Sequence, residues 1–277
     1  MSERVFVLGA GRAGRGLARA LRAVGVEVVG LHGRQRVDAA DDISIGTLPP
    51  SAGAASVILV TVRDAQLESV LRDLASERLQ ASAVVLHASG SADPAAMALL
   101  RQRGHPAGTF HPLIPLVDPT RAAATLRGAW IGIDGDAEAR MRARALAAQL
   151  GAKTLEIPAG QKPRYHAAAV LVSNFPAVLL ALGERVLAEA GLGPETARHA
   201  LLPLWLAAVD NVRGATTVAT ALTGPVVRGD AVTVRANLDA LRDDETARTV
   251  YRVLSLALLE VVGEDGRVDV RRALDQR

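Results

Sequence analysis

The side chains of this 277-residue chain best equipped for chemistry sit in one apolar stretch, YHAAAVLVSNFP, residues 165–176. His166 can hold or give up a proton near neutral pH, while Ser173 and Asn174 can orient a polar group. At helical spacing these three and Lys162 fall within an arc of roughly 120°, and the remaining circumference is Ala, Val and Leu. A helix apolar nearly all round belongs in a core, so the polar stripe must find partners or face a wet cleft. For His166 alone, a buried and bonded histidine is the plain alternative. Pro176 lacks an N–H and frees the carbonyl of Val172, which predicts a bend beside Ser173 and Asn174.

A second group of polar residues falls at the ends of apolar runs: Thr61, Arg63, Asp64, His87, Ser89 and His111. His111 lies between Phe110 and Pro112, which would hold it in a fixed loop either for chemistry or merely to bond that loop. In ALTGPVVRGDAVTV, residues 221–234, Gly-Pro and Gly-Asp pairs punctuate an ordered loop. Arg228 could grip a substrate carboxylate there, or pair with Asp230 to brace the turn.

The elements that must position these groups begin with RVFVLGAGRAGRGLARALRAVG. A short β run, Gly9, Gly11 and Gly14 in G-x-G-x-x-G spacing, a helix and a second strand form the dinucleotide-binding context. Gly9 permits the turn, Gly11 lets backbone approach a pyrophosphate, and Gly14 allows close packing of the helix; Arg12 and Ala13 complete the phosphate loop. Where an NAD site usually carries Asp or Glu, Gly33, Arg34 and Arg36 stand instead and suit a 2′-phosphate, so NADP is expected. Val62, Arg63 and Ser89 follow at later strand ends. Further strands are expected at 56–62, 83–90, 107–112, 129–135 and 153–158, alternating with helices at 64–75 and 136–150. That alternation predicts an α/β domain with a mostly parallel sheet over residues 1–158. From 159 to 277 helical periodicity takes over, at 162–190, 195–212 and 244–262, predicting an all-α second domain.

A hydrophobic fraction of 49% against 22% charged residues fits a packed globular chain. Despite a pI near 9.9 the net charge is only +3, and the arginines are scattered among 29 acidic residues, so no nucleic-acid surface is expected. The absence of cysteine excludes disulfides, thiolate catalysis and zinc–thiolate sites, and no metal site is expected. The four-residue apolar run before Gly9 is short for a signal peptide. The run after His166 is interrupted by Ser, Asn and Pro and falls short of the ~20 residues a bilayer requires. A cytoplasmic protein without membrane partners is the expectation.

LGAGRAGRGLA, HASG, GTFHPL, YHAAAVLVSNFPAVLL and ALTGPVVRGD together resemble a bacterial family of Rossmann-like proteins with a C-terminal domain of unknown function. That family looks like a branch of the superfamily of 6-phosphogluconate, 3-hydroxyisobutyrate and prephenate dehydrogenases, pyrroline-5-carboxylate reductase and ketopantoate reductase. The resemblance implies an N-terminal Rossmann domain for NAD(P), an all-helical C-terminal domain of the 6-phosphogluconate dehydrogenase type, and a homodimer. In several such dehydrogenases a catalytic lysine precedes an asparagine by one turn. Asn174 matches the asparagine, but Val170 occupies the lysine position, and the Ser173–Pro176 spacing is closer to prephenate dehydrogenases. The expected activity is NADPH-dependent reduction of a small 2-keto acid, with ketopantoate the specific candidate. His166 would be the proton donor and His111 its alternate, Asn174 and Ser173 would line the site, and Arg228 and Asp230 would meet the substrate. Two other readings stay open: reduction of a cyclic imine, which needs less acid catalysis, and a nucleotide-binding sensor or scaffold without turnover.

Overall fold

The structure, a computed structural model, describes residues 3–276. The chain divides into two compact units, the first ending at Ser173 and the second beginning at Asn174. The first unit holds eight strands: β1 (Arg4–Leu8), β2 (Glu27–His32), β3 (Ile43–Ser44), β4 (Val57–Val60), β5 (Val84–His87), β6 (Ala107–Pro112), β7 (Trp130–Gly135) and β8 (Lys153–Glu156). They form one sheet in the order β3-β2-β1-β4-β5-β6-β7-β8. Every neighbouring pair is parallel except β6 and β7. The expected mostly parallel sheet is therefore present, and only the two-residue β3 is too short to leave a periodic signal.

The connecting helices are α1 (Arg12–Ala23), α2 (Pro50–Gly53), α3 (Asp64–Ser76), α4 (Ala98–Gln102), α5 (Ala122–Leu126), α6 (Ala137–Gln149) and α7 (Lys162–Ser173). Alternate strand residues feed two cores, as the pleat requires. Val5 and Val7 pack with Leu17, Leu21 and Leu146, whereas Phe6 packs with Leu67, Leu71 and Leu74 on the other face. β4 and β5 are buried along their whole length, as strands covered on both faces must be. The strand order turns at β1, which lies between β2 and β4, so a crevice is expected beyond the carboxyl ends of these strands.

In the second unit α8 (Phe175–Glu189), α9 (Pro194–Gly214), α10 (Val218–Ala221), α11 (Pro225–Arg228), α12 (Ala231–Ala240), α13 (Glu245–Val262) and α14 (Val268–Asp275) follow one another. Val226, Val234, Leu238, Leu259, Val270 and Leu274 form its core. Four sequence expectations change. The long helix over 162–190 is two helices parted at Asn174, with Pro176 in the first turn of α8, where a missing N–H has no intrahelical partner to lose. Residues 221–234 are not a loop, because α11 and the start of α12 lie within them. The polar-striped stretch is not buried either. Lys162 is the one buried residue of α7, α8 buries none, and Leu171, Val172, Phe175, Val178 and Leu179 are exposed. By length and composition alone, residues 162–189 suffice to cross a membrane, contrary to the shorter run expected from the sequence.

Candidate active site

Beyond β1 the chain enters the glycine turn, with Gly9 at φ 123° and its N–H donating to the His32 carbonyl at 2.8 Å. A side chain at Gly14 would collide with the Gly9 carbonyl and with Thr61 Oγ1, which itself donates to that carbonyl at 2.8 Å. Gly14 therefore serves the tightness of the turn, locked by the end of β4. Gly11 opens α1 and faces open space, and the first turn of α1 carries no acidic residue, which leaves its N–H groups and dipole available to an anion.

A cleft of about 720 Å³ runs from this turn along the ends of β2 and β4. Of the expected cofactor residues, Gly9, Gly11, Gly33, Arg34, Val62 and Arg63 line it. Arg12, Ala13, Gly14, Arg36 and Ser89 are not part of that lining. Arg36 is exposed, and the Ser89 hydroxyl is occupied within its own loop, accepting the N–H groups of Ser91 at 3.3 Å and Ala92 at 3.0 Å. The side-chain amide of Gln66, which the sequence did not single out, lies 3.0 Å from both terminal nitrogens of Arg34, and because those nitrogens only donate, the amide oxygen is assigned to that side. The loop after Arg36 is tied to α1: Asp41, almost fully buried, accepts from Arg15 Nε at 2.6 Å and Arg19 Nε at 2.8 Å, and Asp38 bonds both arginines as well. Burial would raise the Asp41 pKa, but the two guanidinium bonds outweigh it and hold it below the usual range.

The second cluster lies at β5, β6, β7 and α7. Lys162, Tyr165 and His166 share one face of α7 by their i, i+3, i+4 spacing. Lys162 Nζ lies 3.1 Å from Asp134 Oδ2 and 3.4 Å from His87 Nε2, and is itself buried. Burial lowers its pKa while Asp134 works against that shift. His87 accepts the Ser89 N–H on Nδ1 at 3.2 Å, and its Nε2 is 3.3 Å from Thr109 Oγ1. Burial, then the lysine charge, pushes His87 down to about 3, so it is neutral and part of the scaffold. Asp64 accepts the Ser91 hydroxyl at 2.7 Å. Burial raises its pKa, but bonds from Ser91 and Ser89 and the nearby His166 and His87 prevail and keep it low.

His111 and His166 are brought together. Their ring centroids are 6.2 Å apart, and a Cβ added to Gly90 would meet His111 Nε2 and His166 Nδ1 each at 2.9 Å. Two imidazole nitrogens thus close on one point above the Gly90 backbone. His166 Nδ1 is buried without a hydrogen-bond partner, whereas His111 Nδ1 is 2.7 Å from the Tyr165 hydroxyl. Burial, then the charge of His166, pushes His111 down to about 4.

The other sequence candidates lie elsewhere. Ser173 and Asn174 are exposed and stand two helical turns beyond His166. Asp230 does not present a free carboxylate to a substrate: it caps α12, accepting the Thr233 N–H at 3.0 Å and hydroxyl at 2.6 Å. Arg228 is exposed at the end of α11, and after the Thr233 bonds its charge helps to hold the Asp230 carboxyl below the usual range. The sequence reading missed Tyr165, Asp134 and Gln66 and assigned Gly90 no role; for Tyr165 the spacing from Lys162 and His166 was the available signal.

A family model for a Rossmann-like domain matches residues 2–112, and the domain of unknown function DUF2520 matches residues 129–258. The chain is a Rossmann-like protein with a C-terminal domain of unknown function. The histidine pair draws on both segments, His111 from the first and His166 from the second. No functionally curated protein matches the chain. Among solved structures, a Bacteroides fragilis protein assigned as an NADP oxidoreductase has a TM-score of 0.74 at 23% identity, over 94% of this chain and 98% of that one. A Thermotoga maritima protein has a TM-score of 0.71 at 24% identity, over 94% and 99% of the two chains. Plasmodium falciparum pyrroline carboxylate reductase, solved with NADP bound, has a TM-score of 0.63 at 12% identity, over 97% and 98%. At these identities the likeness is one of fold.

Proposed function

We propose that this protein is an NADPH-dependent oxidoreductase that reduces the carbonyl group of a small 2-keto acid, with ketopantoate as the specific candidate. The observation that carries this reading is the convergence of His111 Nε2 and the unpartnered His166 Nδ1 over Gly90, in the same unit as the dinucleotide turn. A preference for NADP is supported by Arg34, braced by Gln66 at the cleft, where an acidic residue would select NAD. The fold shared with an NADP-bound reductase agrees with it. When bound, NADPH supplies the hydride. His166 holds a proton at Nδ1 and delivers it to the carbonyl oxygen as charge develops there, with His111 as the second polar contact. Lys162, buried and paired with Asp134, stands apart from the proton transfer and anchors the turn of α7 that carries His166.

His166→Ala should lower turnover by ~10²–10⁴ while NADPH binding, measured by calorimetry, stays unchanged. Ketopantoate, other 2-keto acids and pyrroline-5-carboxylate are assayed side by side. Oxidation of NADPH with the cyclic imine alone would favour imine reduction, and binding without turnover would favour a sensor. If no dinucleotide binds, the reading fails.

We further propose a homodimer in which a second copy covers the exposed apolar residues of α8 and α9, Leu204 and Leu206 among them. Sedimentation in detergent-free buffer should show a dimer; a monomer that partitions onto lipid vesicles would refute this.

A further inference from the structure

Tyr165 belongs to none of the roles assigned so far, yet it makes the shortest hydrogen bond to either site histidine. Its hydroxyl is 2.7 Å from His111 Nδ1, with the rings edge to face at 5.5 Å and 80°. From the other side the phenol oxygen presses on Gly132 of β7, where a Cβ would collide with it. The place of the hydroxyl is thus set by a strand that carries no side chain at that point.

The direction of this bond follows from counting hydrogens. Burial pushes the Tyr165 pKa up to about 12, so the phenol keeps its hydrogen, and His111, pushed down to about 4, is neutral. A neutral imidazole carries one N–H. Were that N–H on Nδ1, it would donate to the phenol oxygen, and the phenol hydrogen would need a second acceptor. Among the described residues the hydroxyl has no hydrogen-bond partner but His111. The acceptor that the protein offers the phenol is His111 Nδ1, and with the phenol donating there the imidazole hydrogen lies on Nε2, the atom that faces Gly90 and the gap shared with His166.

We infer that Tyr165 is a positioning residue: by donating to His111 Nδ1 it holds the Nε2 hydrogen of His111 towards Gly90, so that the site takes a carbonyl oxygen in preference to a protonated imine nitrogen. This rests on the reductase reading above and deepens it by naming the substrate group. A carbonyl oxygen has two lone pairs and can accept from His111 while it receives a proton from His166. A protonated cyclic imine offers only an N–H, which would meet the His111 N–H donor to donor.

The test combines nitrogen-15 NMR of the histidine rings with kinetics, using the full chain and its Tyr165→Phe variant, with His111→Gln to assign the resonances. In the wild type His111 should carry its hydrogen on Nε2 at pH 7. Tyr165→Phe should mix the two tautomers and leave NADPH affinity unchanged. It should lower kcat for the keto acid by less than the ~10²–10³ that loss of a whole preorganised donor costs, and narrow the preference for keto acid over pyrroline-5-carboxylate. Gly132→Ala, which crowds the phenol oxygen, should shift the tautomer in the same way. A wild-type hydrogen on Nδ1, or a Tyr165→Phe variant with unchanged tautomer and turnover, overturns the inference. If the wild type reduces no carbonyl compound, the reductase reading and the substrate preference fall together, and the NMR tautomer alone decides whether Tyr165 sets His111.

Discussion

Replacing Lys162 with methionine removes a buried charge while keeping most of the side-chain volume, and so isolates the ion pair with Asp134. Lys162 is 4% exposed and the Asp134 side chain 19%. Deleting one partner of a buried pair costs about 3–5 kcal/mol, because the other charge is left uncompensated. Asp134 keeps some contact with water, which favours the lower end, about 3 kcal/mol. In a unit of this size 1 kcal/mol moves Tm by about 2–4 °C, so a fall of roughly 6–12 °C is expected in scanning calorimetry. The double variant Lys162→Met/Asp134→Asn should recover at least half of the loss, since no charge is then stranded. A single variant within about 0.5 kcal/mol of wild type, or a double variant no better than the single one, would refute the claim that this pair anchors α7.

Two further outcomes follow from the site electrostatics. His111 titrates at about 4 in the folded chain against 6.5 for a free imidazole, so the unfolded chain binds the extra proton between those values. Its contribution to stability is complete above pH 6.5 and is lost as pH falls, by about 1.4 kcal/mol per pH unit until about 4. His111→Gln should flatten the acid limb of urea-derived unfolding free energies, and an unaltered slope would remove His111 as a source. Arg34→Ala should weaken NADPH binding by roughly 10–100-fold, the worth of a hydrogen bond to a charged group, and leave NADH binding unchanged. Arg36→Ala, outside the cleft, should do neither; equal losses for both nucleotides with Arg34→Ala would deny it the 2′-phosphate.

The dinucleotide turn, the parallel sheet and the passage to helices were legible in the sequence because each is written in local spacing. Gly9, Gly11 and Gly14 constrain neighbouring backbone, and alternation in Val5, Phe6 and Val7 states which face each side chain meets. The polar stripe on α7 was legible too, and in its first half Lys162 meets Asp134 and His87 while the His166 ring faces that of His111. Ser173 and Asn174 lie where α7 gives way to α8, two helical turns beyond His166, since periodicity states which residues share a face but not where along it the helix breaks. The lysine missing at Val170 has no substitute at that position, whereas Lys162, two turns earlier, is buried against Asp134 and His87, 28 and 75 residues distant in sequence. The meeting of His111 with Tyr165 across 54 residues, and the bare Gly90 and Gly132 that admit these rings, likewise depend on which strands lie side by side. Such pairings are decided by the register of β5, β6 and β7 under α7. That register is a property of the packed sheet, and no single segment encodes it.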